Sequence, residues 1–423
     1  MTHSSSNEHI GSVPAGMTSQ RNYLTAALPG TGGLIKQHPD DFSVEEIPRY
    51  LPCGEGEHLF ITLEKTGLTT WELIKKLSRQ LGIKERDVGY AGLKDAKAVT
   101  RQTVSVPRID KDRLSRVSIP GVTVLQADYH RNKLRLGHLS GNRFQIRIRQ
   151  PHEDALDRAL DILQVLADLG VPNVFGEQRY GLLGNSHQIG QKILRGDWKG
   201  AIDEIIGAPQ AIRDSSWKKA AELYQNGAFK EAAKTLPSGM ADERKLLQTL
   251  DQGIDPGQAI LTMPRKKLRF YLSAYQSELF DRLVSMRLPT IERLWAGDLA
   301  FLHDRGACFG VTDPAAEQPR ADRLEISPTA PLFGYKVKLA SGPAGILEEG
   351  LLSKEGLSLD TFRLDHGLAM EGERRPLRVP LGNHGAQSCE GDLILSFSLP
   401  PGSFATSVLF EVMKSEPHFS LSE

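Results

Sequence analysis

Beyond residue 30 the chain alternates between two hydrophobic rhythms, and each predicts a different kind of element. A period of two marks short extended runs at 33–37 and 42–47. Between them lies His38-Pro39-Asp40-Asp41, where Pro and Asp favour a turn. His58–Lys65 is a further strand by the same pattern. Helical spacing begins at Thr69, with Glu72 three residues on to complete a capping box and Gly82 to stop the helix. Trp71, Ile74, Leu77 and Leu81 are expected to form its buried stripe. Strands are predicted again at 88–92, 100–106, 122–129 and 142–149, with 93–96 as a loop. In the last of these strands Phe144, Ile146 and Ile148 share one face, and Arg143, Gln145, Arg147 and Arg149 the other. A helix over about 153–169 follows.

After Gly170 the texture changes. Residues 171–269 read as mainly helical, with one helix at 215–236, and a long helix covers Arg265–Arg287. Strands return at 299–311, a helical stretch lies near 353–361, and the last fifty residues are strand-like, above all 391–399. The pattern predicts an α+β protein, a strand-rich domain split in sequence by a large α+β insertion. The expected parts are a disordered tail at 1–20, a first part at 21–170, the insertion at 171–374, and the final strands of the split domain at 375–423.

Composition narrows the chemistry more than the fold. With 423 residues, 39% of them apolar, the chain can fill the cores of two or three domains. No apolar stretch is long enough to span a bilayer and the N-terminus has no apolar signal core, so a soluble, cytoplasmic protein is expected. Its 52 basic and 52 acidic residues cancel, so a nucleic-acid partner would need a local basic face. Residues 131–149 offer one, with six Lys or Arg and no acid, although a solvated strand face reads the same way. Three scattered cysteines argue against a disulfide framework, and the histidines show no metal-ligand spacing.

Candidate chemistry lies in short segments. Asp95 follows a strand in a loop beside Gly92, where a carboxylate can project into a cleft; by type alone it is a turn residue. Residues 175–181 interleave Phe175 and Tyr180 with Gln178 and Arg179 at the start of the insertion. Gly402-Ser403-Phe404-Ala405-Thr406-Ser407 sets one ring among small residues, either a site or a core plug beside a helix cap.

In order, Asp41-Phe42-Ser43-Val44-Glu45, Ala91-Gly92-Leu93-Lys94-Asp95, Gly141-Asn142-Arg143-Phe144, residues 175–181 and residues 402–407 resemble the TruD family of transfer-RNA pseudouridine synthases. The resemblance covers about residues 30–412. It implies a pseudouridine-synthase catalytic domain with a mixed, mainly antiparallel sheet, interrupted by an inserted TRUD domain, with a cleft for RNA between the two. It further implies isomerisation of a uridine, at position 13 of transfer RNA in bacterial members, with no cofactor; a monomer with no metal is expected. Asp95 matches the family's nucleophile, and Phe42, Asn142 and Phe404 match uridine-binding positions, with Phe144 completing Gly-Asn-x-Phe.

The reaction conserves atoms: the N1–C1′ bond breaks, the uracil turns, and C5 takes its place. Asp95 can attack C1′ or remove a sugar proton, and both routes stay open from sequence. The base must be flipped out of the RNA and stacked, for which Phe42, Phe144 and Phe404 supply rings and Asn142 an amide. A cation should keep Asp95 ionised; Lys36 is the first candidate and Arg101 the second. An RNA-binding module without turnover would not need Asp95, and a glycoside hydrolase would release free base.

Overall fold

The computed structural model describes residues 22–414. The expected tail at 1–20 and the chain after 414 lie outside them. The first part holds β1 (Phe42–Pro48), β2 (His58–Lys65), α1 (Thr70–Leu81), β3 (Gly89–Tyr90), β4 (Val99–Pro107), β5 (Val122–His130), β6 (Leu139–Ile148) and α2 (Ala155–Leu169). After the short β7 (Val171–Pro172) come seven helices: α3 (Ser186–Leu194), α4 (Trp198–Ile206), α5 (Ser215–Gln225), α6 (Phe229–Thr235), α7 (Ala241–Asp251), α8 (Pro256–Ile260) and α9 (Arg265–Arg287). Then follow β8 (Leu299–Leu302), β9 (Ala307–Gly310), α10 (Pro314–Asp322), β10 (Ile326–Leu332), α11 (Gly342–Lys354), β11 (Glu373–Pro376) and β12 (Arg378–Val379). The described chain ends with β13 (Gly382–Cys389), β14 (Asp392–Leu399) and α12 (Ala405–Met413).

The main sheet has eight strands in the order β13-β14-β6-β1-β4-β2-β5, with β3 alongside β4. Only β1 and β4 run parallel; the other neighbours are antiparallel. Register fixes which side chains share a face. Val44 sits opposite both Phe144 and Thr100, and Thr100 opposite Lys65, so these lie on one face. Two separate cores cover that face. Phe42, Phe144, Ile146 and Phe397 pack with α2 and α12 at one end, and Leu59, Ile61, Leu63 and Val104 pack with α1 at the other. Between them, over β1 and β4, the buried groups turn polar: Glu46, Lys65, Thr70, Thr100 and Gln102.

The region after β7 has its own core, from Phe175 to Leu377, and a four-stranded sheet ordered β11-β10-β8-β9. In that core α3 crosses α9 so closely that a Cβ on Gly190 would fall 2.0 Å from the Tyr271 carbonyl oxygen. The two chain crossings between the cores run side by side, because β7 pairs with β12. Arg378, fully buried there, donates to the Leu169 carbonyl at 2.5 Å and the Ala321 carbonyl at 2.8 Å.

Several sequence expectations change. Residues 33–37 form no strand; Leu34 makes only a single bridge to Arg149, and Lys36 takes a left-handed φ of 56°. The helix expected at 215–236 breaks into α5 and α6, with Gly227 at φ 76° between them. The helical stretch near 353–361 divides between the end of α11 and a short helical turn at Leu359–Phe362. The chain after β14 turns helical, since Ala405 to Met413 puts its apolar residues at helical spacing. Trp71 leaves the buried stripe, which Thr70, Leu73, Ile74, Leu77, Ser78 and Leu81 fill.

Candidate active site

Local sequence builds the framework. Thr69 caps α1 by accepting the Glu72 N–H at 3.2 Å, while Glu72 accepts the Thr69 N–H at 2.8 Å, and Gly82 ends the helix at φ 66°. This fixes Thr70 at the helix start, where its hydroxyl accepts the Lys94 N–H at 2.8 Å and donates to Gln102 at 3.1 Å. The loop from Ala91 to Ala98 is thereby held against α1, over the junction of β1 and β4. Asp95 lies in this loop with 46% of its side chain exposed.

Around Asp95 the structure gathers three lysines. Lys36 Nζ lies 3.5 Å from Asp95 Oδ2 and 4.5 Å from the Phe42 ring centroid. Lys65, 1% exposed, donates to the Asp95 carbonyl at 3.0 Å and the Leu68 carbonyl at 2.5 Å. Lys94 turns inward, donating to Asn142 Oδ1 at 2.7 Å and pairing with Glu46 at 3.1 Å. Glu46 in turn accepts the Thr103 N–H at 3.1 Å. That donor falls in the gap on β4 between the end of β1 pairing at Arg101 and the start of β3 pairing at Val104.

The electrostatics follow from these contacts. Partial burial would raise the Asp95 carboxyl, but the Lys36 ammonium and the Lys97 and Ala96 N–H groups outweigh it and hold Asp95 below the usual carboxylate range. Burial lowers the Lys65 ammonium to about 8, with neighbouring Asp95 opposing the shift. Burial raises Glu46 despite Lys94.

The sequence-derived residues separate into several places. Lys36 and Phe42 stand at Asp95. Asn142 reaches the same loop through Lys94. Phe144 is 7% exposed and lies against Phe42 at 6.3 Å and Phe397 at 5.4 Å, inside the core. Phe404 is 37% exposed at the start of α12, so it is not a core plug. It belongs to the loop after β14, whose Leu399 pairs with Asn142, and its ring lies 5.6 Å from Phe175. Arg375 clasps this corner, donating to the Gly402 carbonyl at 3.0 Å and lying 4.5 Å from the Phe175 ring. Arg101, the second candidate partner of Asp95, instead pairs with Glu64 at 2.8 Å on the opposite sheet face. Arg179 gives its guanidinium to Ser277 and the Ser273 carbonyl of α9.

In the basic strip at 131–149, four of the six cations pair with acids. Arg143, Arg147 and Arg149 project from the face opposite Phe144, and each meets an acid: Glu45, Asp392 and Asp41 respectively. Arg131 pairs with Glu55. Sequence reasoning missed Lys65, Glu46 and Arg375. Two of them left a signal: Lys65 continues the buried register Leu59, Ile61, Leu63, and Glu46 the register Phe42, Val44. A charge in an apolar register marks a buried ion. Among the described residues no group of three His, Cys, Asp or Glu could hold a metal ion, and no helix is long and apolar enough to cross a membrane.

Comparison with known proteins adds the remaining observations. A family described as tRNA pseudouridine synthase D (TruD) matches residues 18–412. The tRNA pseudouridine synthase D of Syntrophotalea carbinolica is 57% identical over 395 residues, covering 93% of this chain and 99% of the relative. That of Thermus thermophilus is 40% identical over 397 residues, covering 93% and 92%. A crystal structure from Methanosarcina mazei, described as a candidate tRNA pseudouridine synthase D (TruD), superposes with a TM-score of 0.80 at 29% identity. The match covers 94% of this chain and 96% of that one.

Proposed function

The chain belongs to the TruD family of tRNA pseudouridine synthases and is an isomerase; from that premise we propose that it converts uridine-13 of transfer RNA to pseudouridine, with Asp95 as nucleophile and the uridine flipped out of the RNA. The observation that carries the reading is the Asp95 carboxylate, half exposed and held charged by Lys36 in the polar gap between two cores. At neutral pH a carboxyl held below its ordinary range is ionised, the form that attack at C1′ requires.

In this mechanism Asp95 bonds to C1′ as the N1–C1′ bond breaks, and the freed uracil turns to present C5. Reattack through C5 expels the carboxylate, and the C5 proton is then lost as N1 gains one, which restores the ring. Phe42 borders the uracil site and Phe404 closes its other end. Asn142, oriented by Lys94, presents its amide to the uracil edge or holds the Asp95 loop. Phe144 supports Phe42 from within the core.

The sheet domain, residues 21–170 and 375–423, performs the chemistry as a monomer in the cytoplasm, and residues 171–374 hold the RNA body. The exposed Phe404 ring against Phe175 supports that division, because it joins the two parts at the edge of the site. The test is pseudouridine mapping on a tRNA transcript incubated with the purified protein. Product at position 13, and none when that uridine is replaced by cytidine, is expected; product elsewhere overturns the target.

A further inference from the structure

Trp71 is 54% exposed, although the helical pattern would bury it. The indole meets Tyr90 edge-on, with ring centroids 5.5 Å apart. Leu93, two residues before Asp95, is 57% exposed. Thr70, adjacent to Trp71, accepts the N–H of Lys94, adjacent to Asp95. Indole and candidate nucleophile are therefore mounted on either side of one hydrogen bond. Lys75, one turn along α1, and Lys97, two residues after Asp95, are exposed.

Resting on the proposed function, we propose that Trp71 is a stacking platform for a nucleobase next to the flipped uridine, with Leu93 as its apolar neighbour. An indole face suits a base in single-stranded or opened RNA, because every base offers a π-face and stacking tolerates sequence. The nearby ammonium groups match the charge of the adjoining phosphates. α1 makes the platform rigid: it is capped at Thr69 and packed through Leu73, Ile74 and Leu77, so the indole is presented without an ordering cost.

The test compares Trp71→Ala and Trp71→Phe with the wild-type protein on a tRNA transcript. Trp71→Ala should raise KM about tenfold, the scale of one base–aromatic stack. Its kcat should stay within about twofold, and Trp71→Phe should recover most of the KM. The chain has four tryptophans, and RNA should quench an emission component that the wild type has and Trp71→Phe lacks. An unchanged KM in Trp71→Ala, or equal quenching in wild type and Trp71→Phe, overturns the proposal. A wild-type protein that forms no pseudouridine would fail the proposed function instead, and the quenching comparison would still decide the role of Trp71.

Discussion

The two faces of the main sheet carry comparable numbers of cations and use them in opposite ways. On the open face, Arg147 meets the mostly buried Asp392 at 3.0 Å, while Arg101 and Arg143 meet Glu64 and Glu45 at 2.8 and 3.0 Å with both partners a third or more exposed. Exposed pairs of this kind contribute about 0–1 kcal/mol each. On the covered face, Lys36, Lys65 and Lys94 sit at 13% exposure or less and aim at one loop. Burying three ammonium groups is costly, and the fold tolerates it because each is matched to a carboxylate or to carbonyls. Density of positive charge in the sequence therefore marks the face whose arginines pair with acids. Burial of charge marks the face that carries Asp95.

Substitutions should separate the faces by orders of magnitude. Asp95→Asn should lower kcat by about 10⁴-fold or more while leaving RNA affinity within a few-fold, since it removes charge and keeps volume. Single-turnover kinetics and filter binding would measure both, and near-wild-type turnover would move the nucleophile elsewhere.

Lys65→Met should lower kcat by about ten- to a hundredfold, because the Asp95 carbonyl loses its tether and small misplacements are expensive. Stability adds a second readout. The Lys65 ammonium is lowered to about 8 in the folded protein against an ordinary value of 10.5, so the unfolded chain binds more protons between those values. Wild-type stability should then rise relative to Lys65→Met as pH increases from 8 to 10.5. A parallel pair of denaturation curves across that window would show that Lys65 is not the buried ammonium described.

Lys36→Met should act through charge. With the ammonium gone, the Asp95 carboxyl moves up, so activity lost as pH falls should be lost at higher pH than in the wild type. An acid limb at the same pH in both proteins would assign the low Asp95 value to the backbone N–H groups alone. The smallest effect belongs to the open face. Arg143→Glu should change tRNA affinity by no more than about twofold and leave the salt slope as it was. A clearly flatter slope would return the strip to the RNA track expected from sequence.

How far these faces were legible depended on the range of the interactions. His58–Lys65 and the caps of α1 were readable because period and capping act within a few residues. The Asp95 loop shows in the strand–loop pattern, whereas Phe42 and Asn142 need motif resemblance and Lys36 the need for a cation. The acids opposite Arg143 and Arg147 are 98 and 245 residues away, so nothing local announced that those arginines were neutralised. Trp71 was misread because it borders the apolar stripe, and only packing shows that Thr70 and Leu73 take the inner side. Arg375 depends on a clasp to Asn173, 202 residues distant.

The account stands or falls on where uridine is isomerised and by which carboxylate. Pseudouridine should be mapped in transfer RNA from cells lacking this protein, complemented with either the wild-type chain or Asp95→Asn at equal expression. The account predicts that pseudouridine at position 13 returns with the wild type and stays absent with Asp95→Asn. Restoration of that modification by Asp95→Asn would contradict it.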